Sequence, residues 1–424
     1  MKKMLFFGML LFIGVFIFVT CNAQQGARGS SKSGDGGTPD SALKDSGAAD
    51  TGSEQDSGFD AGNVPKDNGC PGEVQSFIWI SNTAEGTLSK VCTINGKEVA
   101  RYYTSKQESQ GDPSRTSVNL HGDMVVTNRD PSFGPSSVTK FAGDIKDCLD
   151  RNSNGRIDTS FGPTEVLPWG EDECMLWNTE LPGLASIGAR ATAWDGEEDP
   201  KTGEGGHVWI GALTTFTVFK MDGDTGEILD QAYTPATVAP YGGAVDGAGS
   251  FWIVGGGCTV SSMVGQCAIA RVDMATMTSV PYIVPYGYGI SVDSKGRIWT
   301  NGLSGVSRLD PASGEIKKLP LLGFGRGVAV DGNGSVWAVM TSGELVRVDE
   351  ETVQMIKRFP VGPSEMVGVA VDYEGFIWAV SQGGNAAFKV DPQSYDILEV
   401  PIGMGPYTYS DMTGMQLRQV VPVQ

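Results

Sequence analysis

Gly327-Val328-Ala329-Val330-Asp331-Gly332-Asn333-Gly334-Ser335-Val336-Trp337-Ala338-Val339 decides the fold. It reads as a strand, a tight turn and a second strand carrying a Trp. Asp-Gly-Asn-Gly supplies the positive φ angles of a short hairpin. Both flanking runs are apolar on both faces, as expected of strands buried from either side.

The phrase recurs. The Asp and Trp pair as Asp246/Trp252, Asp293/Trp299, Asp331/Trp337 and Asp372/Trp378, always six apart. Successive Trp residues stand 47, 38 and 41 positions apart. The intervals hold more strand, such as Val306–Asp310 and Leu345–Asp349, then a turn and a fourth apolar run such as Ile316–Leu322 or Met355–Val361. A period near 40 with four short strands per unit predicts an all-β chain, a β-propeller. The Trp is expected to wedge between blades. Second strands at 79, 125, 209, 252, 299, 337 and 378 predict seven four-stranded blades, with six or eight also admitted by the long interval from 125 to 209.

The unit beginning Phe77-Ile78-Trp79-Ile80 has no preceding strand. Pro406–Gly414 matches the opening of the repeat, and Asp411 to Leu417 is again six. We expect the C-terminal strand to pair with the N-terminal blade. Closure of this kind removes exposed sheet edges.

Ahead of the repeats, residues 1–21 read as a lipoprotein-type signal segment. Lys2 and Lys3 precede an apolar run, Met4–Val19, that suits export rather than a spanning helix. Phe18-Val19-Thr20-Cys21 is similar to a bacterial lipoprotein box with Cys21 as the lipidated residue, although Phe18 and Thr20 are not the usual residues there. Plain secretion with cleavage near Ala23 is the alternative. Asn22 after the Cys favours an outer-membrane or cell-surface destination. Residues 22–69 are rich in Gly, Ser, Asp and Ala, too polar to offset the entropy of ordering, and are expected to be a disordered tether. Residues 70–424 are the expected propeller.

An insertion at about 144–178 carries Asp150, Asn152, Asn154 and Asp158 at positions 1, 3, 5 and 9 of an EF-hand-type loop, with Gly155 at the turn and the Arg156 carbonyl as a further oxygen. Oxygens at alternate residues can wrap a hard cation. Phe161 stands where a bidentate Glu is expected, so Glu171, Asp172 or Glu173 would have to complete the shell. We expect structural calcium here, and no magnesium.

Seven Cys less Cys21 leave six in an exported chain, which suggests disulfides. Six Cys admit fifteen pairings. The local solution is Cys70–Cys92, Cys148–Cys174 and Cys258–Cys267.

Conventional catalytic signatures are absent. There is no HExxH, no GxSxG and no phosphate-binding Gly-Lys loop. His121 and His207 are the two His of the chain, and both are expected in solvated turns. A formal charge of −19 argues against nucleic acid.

The Pro-x-Gly openings, the Asp-x-x-Gly turns and the strand Trp over roughly residues 75–417 resemble the streptogramin lyase (virginiamycin B lyase-like) propellers and, more loosely, NHL-repeat propellers. The resemblance implies a catalytic His in the opening, a Glu three residues after the Trp, and magnesium. Here the openings read Pro240-Tyr241-Gly242, Pro285-Tyr286-Gly287 and Pro406-Tyr407-Thr408. Three residues after each Trp or its stand-in come Asn82, Asn128, Ala212, Gly255, Gly302, Met340 and Ser381, none of them Glu. The fold is expected to carry over and the lyase chemistry is not.

The sequence therefore points to a monomeric, surface-tethered, non-catalytic binding or scaffold propeller for a glycan or surface protein. Tyr241, Tyr286, Tyr407 and Tyr409 are its candidate ligand face, with inter-blade packing as their other reading. The alternative is a lyase or hydrolase with a divergent metal-dependent site. Carboxylates converging on the central channel would favour the enzyme; an uncharged aromatic mouth would favour binding.

Overall fold

A computed structural model describes residues 69–71, 76–129, 134–183, 186–255 and 266–421. These belong to one compact unit, Gly62–Gln424. The signal segment, Cys21 and all but the last residue of the tether lie outside the described residues. No described helix is long and apolar enough to cross a membrane.

The repeat folds as expected into antiparallel four-stranded units. Its first two strands form the hairpin read from the sequence: Val328 pairs with Ala338, Ala329 with Trp337 and Val330 with Val336. All seven anticipated second strands are present, from Phe77–Asn82 and Met124–Asn128 through Ile377–Ser381. They fall, however, into six hydrogen-bonded sheets, so the expected seven separate blades become six. The cause is local. Strand Ile316–Val330 runs on from the outer edge of the Trp299 unit into the inner strand of the Trp337 unit. The two units thereby share one six-stranded sheet.

The Asp/Trp spacing is a hydrogen-bonded device. Oδ1 of Asp331 accepts the backbone N–H of Asn333 at 2.7 Å and of Ser335 at 2.9 Å. Its Oδ2 accepts the Trp337 indole N–H at 2.9 Å. The same indole bond forms at Asp246–Trp252 (2.7 Å), Asp293–Trp299 (2.8 Å) and Asp372–Trp378 (2.8 Å). One carboxylate thus holds the turn and aims the ring. The Trp rings pack between units, none of the six more than 1% exposed. Directly across the ladder from a Trp stands a basic residue: Lys90, Lys220, Arg271, Arg347 or Lys389. Where the stem lies along the ring, the charge can reach past it: Lys389 lies 3.7 Å from Asp372, Lys90 donates to Gly143 O and Arg347 to Pro392 O.

Ring closure uses the C-terminal segment as anticipated. The first sheet holds only Phe77–Asn82, Thr87–Cys92 and Glu98–Tyr103. Its missing inner partner comes from the chain end: Tyr407 N–H donates to Ser81 O at 3.0 Å, and Trp79 N–H to Met412 O at 2.9 Å. Tyr409–Ser410 also pairs in parallel with Arg115 and Thr116. Helix Met415–Val420 follows, with Leu417 and Val420 buried. It packs beneath the inner strands, Gln419 donating to Val330 O at 2.9 Å. Asp411 keeps the repeat's role: its Oδ2 accepts the Leu417 backbone N–H where other units present an indole.

Cys70–Cys92 and Cys148–Cys174 are disulfides, as the local pairing predicts. Cys258, the expected partner of Cys267, lies outside the described residues.

Asp331→Asn places an amide N–H against an indole N–H or gives up two turn bonds. A loss of about 2–3 kcal/mol is expected from unmade buried bonds to a carboxylate. Urea unfolding checks this: the midpoint should fall at unchanged slope, and a change below about 0.5 kcal/mol would mean the indole bond is dispensable.

Candidate functional site

The inner strands converge on the axis, and four of them shift register at one equivalent residue. The ladder slips between Pro113 and Arg115, Ala189 and Ala191, Pro240 and Gly242, and Met366 and Gly368. A similar slip spans Gly325 to Val328. Such bulges re-aim side chains. Counted back five from the repeat Asp, the re-aimed positions are Arg190, Tyr241, Arg326 and Val367, and the same count reaches Tyr288, beside which the ladder runs without a slip. The closing segment adds Tyr407 and Tyr409, and Pro113–Val118 adds Arg115.

These side chains meet at the channel mouth. The Tyr241 hydroxyl lies 2.5 Å from those of Tyr288 and Tyr407, which are 2.6 Å apart. Tyr409 donates to Tyr288 at 3.1 Å. Arg115 stacks 3.7 Å from the Tyr409 ring and 4.8 Å from Tyr241. Arg190 lies 4.6 Å from Tyr241. Arg129, Arg190 and Arg326 surround the Tyr407 ring at 5.2, 5.8 and 6.0 Å. Below the phenols the axis is packed. The space among Arg115, Gly242, Gly289, Gly327 and Tyr409 is about 10 Å³, room for about one water. Gly289 is required here, because a Cβ would sit 2.2 Å from Arg326 O.

Three of the four anticipated tyrosines are thus brought together and one is not. Tyr286 is displaced two residues toward the N-terminus and lies against Gly305, in another hollow; Tyr288 takes its place. Sequence reading anchored the alignment on Pro-Tyr-Gly. Counting from Asp293 selects Tyr288, and the same count selects Arg190 and Arg326, which were missed. The mouth is aromatic but not uncharged: it is cationic.

The charges act on the phenols. Burial pushes Tyr241, Tyr288 and Tyr409 above the ordinary phenol range. Burial opposes ionisation of Tyr407 too, but Arg115, Arg190 and the hydrogen bonds from Tyr241 and Tyr288 outweigh it and bring its pKa down to about 7. Burial lowers Arg115, and burial with the neighbouring Arg190 lowers Arg129.

Other expected residues lie elsewhere. His121 and His207 sit past the far ends of the inner strands: His121 lies in the Asn119–Asp123 turn as expected, His207 opens a strand, and both rings are partly buried and hydrogen-bonded. His121 bonds Pro200 O at 3.2 Å and Asp147 at 2.9 Å, and His207 bonds Asp195 at 2.8 Å. Asp123 completes a three-group cluster with His121 and Asp147, and Glu197 does so with Asp195 and His207. No bond from either imidazole reaches a serine or cysteine among the described residues. Asn82 and Asn128, at the resemblance's Glu position, bond hairpin hydroxyls.

The insertion occupies the hairpin between Ser137–Phe141 and Met175–Glu180, with Cys148–Cys174 at its base. Asn152 and Asn154 amides both donate to Asp158 Oδ2, at 2.8 and 2.7 Å. Asp150 accepts the Asn154 and Gly155 N–H groups. Arg156 pairs through its side chain with Asp158 at 2.9 Å. Asp172 and Glu173 are committed otherwise: Asp172 holds Thr159, Ser160 and Cys174, and Glu173 accepts the N–H groups of Arg151, Asn152 and Asp158.

The low Tyr407 pKa has a measurable consequence. An unfolded phenol titrates near 10. Between about pH 7 and pH 10 the folded chain therefore holds fewer protons at this group. Its contribution to stability grows with pH across that window and is lost as pH falls through about 7. Ultraviolet absorbance of the native chain should show one phenolate appearing near pH 7, absent in Tyr407→Phe; titration of every tyrosine above pH 9 would contradict this.

No family model matches the chain, and no curated protein matches it. Solved structures do. Virginiamycin B lyase from Staphylococcus aureus aligns with 73% of this chain and 92% of its own, at 15% identity and TM-score 0.50. A catalytically inactive variant of that lyase with quinupristin aligns with 68% of this chain and 84% of its own, at 16% identity and TM-score 0.48. Kuenenia stuttgartiensis hydrazine synthase aligns with 80% of this chain and 100% of the matched chain, at 12% identity and TM-score 0.54. The chain has a β-propeller fold like that of the streptogramin lyase virginiamycin B lyase.

Proposed function

We propose that the chain is an exported, lipid-tethered binding propeller that presents its channel mouth to a glycan or surface protein and is steadied by calcium. One observation carries the reading. Side chains from several units converge on the mouth, and they are phenols and guanidinium groups rather than the carboxylates or imidazoles that would hold a catalytic metal. Aromatic rings and arginines are the side chains that dominate recognition surfaces. The oxidising compartment that export implies suits both described disulfides. Alanine at Tyr407 is expected to abolish retention of the full chain on a glycan array or on isolated cell envelopes. Retention unchanged by Tyr407→Ala would place the binding face elsewhere.

The insertion supports calcium through Asp150, Asn152, Asn154, the Arg156 carbonyl and Asp158, whose side chains already gather about one turn. Asp172 and Glu173 brace that turn instead of completing a shell. Chelation should lower the melting temperature, and Asp150→Ala should remove both the shift and calcium measured by elemental analysis. Calcium bound equally by the variant would move the site off this loop.

A second reading, a lyase or hydrolase with a divergent site, draws on the acidity of Tyr407. A phenolate near neutral pH is a competent general base. The cationic mouth counts against a divalent metal ion there, so this enzyme would work without the channel metal that the resemblance implies.

A further inference from the structure

We infer that the channel mouth recognises an oxyanion, a carboxylate or phosphate group carried by an acidic sugar of a glycan, held by Arg190 and Arg326 over the buried Arg115. This rests on the binding reading and adds the charge of the ligand to it.

The argument begins with donors that have no acceptor. Arg115 is 1% exposed, and its Nε donates to Tyr241 O at 3.2 Å. Its Nη2 has no hydrogen-bond partner. Arg190 Nη1 and Arg326 Nε and Nη1 are buried without partners as well. Buried N–H groups are normally satisfied, and a charged one left unsatisfied is costly. Three arginines with orphaned donors, converging on the same phenols, describe a site built for an acceptor that the chain does not supply.

Charge counting leads to the same place. Of the four guanidinium groups around the phenols, Arg129 is answered by Asp112. Arg115, Arg190 and Arg326 form no ion pair with a carboxylate among the described residues, in a chain whose formal charge is −19. An acidic protein that gathers unmatched arginines at one point has concentrated positive potential there. Ionised Tyr407 would offset one charge and leave the others. A guanidinium fork matches the two oxygens of a carboxylate or phosphate, and the phenol hydroxyls offer further donors. The rings give the remainder of the ligand a flat surface to lie on. A cation is repelled, and a neutral sugar leaves the orphaned donors only partly answered.

The test uses calorimetric titration of the full chain with glucuronate, glucose 6-phosphate, inorganic phosphate and glucose. At least one acidic sugar is expected to bind at least about tenfold more tightly than glucose. Preference between the two acidic sugars identifies carboxylate or phosphate as the recognised group. Arg190→Gln and Arg326→Gln should each weaken that ligand by at least about tenfold, and Arg326→Lys, which keeps charge but not the fork, should weaken it less. Bound ligand should also move the Tyr407 titration to higher pH, a response that a purely structural arginine would not give. If Arg190→Gln fails to fold, the Arg326 pair and the Tyr407 shift decide. Equal binding of glucose and acidic sugars, abolished in Tyr407→Ala, would overturn the oxyanion site and leave the binding face standing. No binding of any acidic probe, or binding unaffected by the Arg326 variants, would overturn the oxyanion site; envelope retention unchanged by Tyr407→Ala would overturn the binding face itself.

Discussion

Everything in this propeller depends on a buried carboxylate bonded to a Trp indole. In each regular unit the repeat Asp accepts turn amides with one oxygen and the indole N–H with the other. The bond fixes the hairpin and the ring in one step. The rings then fill the space between units, where a packed interior leaves no room for an alternative orientation. Where the device is missing the fold compensates. Asn119 lacks a Trp six residues on, and its amide oxygen instead accepts three successive backbone N–H groups. Asp411 has no indole and binds the first turn of the terminal helix.

Regularity at one end of the unit permits variation at the other. With the Asp turn fixed, the residue five positions earlier falls at the mouth in five units, and in four of them it lies at a register slip of the inner strand. Changing that residue alters the site without disturbing the hairpin. Arg190, Tyr241, Tyr288, Arg326 and Val367 occupy it in turn. The mouth is therefore a surface written one residue per unit on a constant frame. Function on such a frame resides in the site and not in the fold. The likeness to virginiamycin B lyase accordingly speaks to architecture, while the Arg and Tyr set of this chain defines a different surface.

Charge at the mouth is a property of assembly. Each arginine is an ordinary polar residue in its own strand, and each tyrosine an ordinary aromatic one. Ring closure brings Tyr407 and Tyr409 from the chain end beside Tyr241, Tyr288 and Arg115 from other units. Only then do the guanidinium groups pull the Tyr407 phenol down to about 7 while burial pushes its neighbours up.

The Asp/Trp offset of six and the period near 40 determined, without any structure, the strands, the hairpins, the propeller and the closing role of Pro406–Gly414. Local spacing likewise identified two disulfides, because residues near in sequence on adjoining turns are near in space. These features are legible because strand alternation and turn chemistry act over a few residues. The merging of two units through Ile316–Val330 was not legible, since continuous hydrogen bonding across a linker depends on how neighbouring units tilt. Nor was the choice of Tyr288 over Tyr286, because a two-residue shift leaves the Pro-Tyr-Gly motif intact while moving the side chain into another hollow. The commitments of Asp172 and Glu173 to backbone amides and hydroxyls were hidden for the same reason: composition names the donors and acceptors, but distance decides which of them meet. The cationic mouth belongs wholly to tertiary structure, because Coulomb interactions act through space and the residues that share it are up to 294 positions apart, Arg115 and Tyr409.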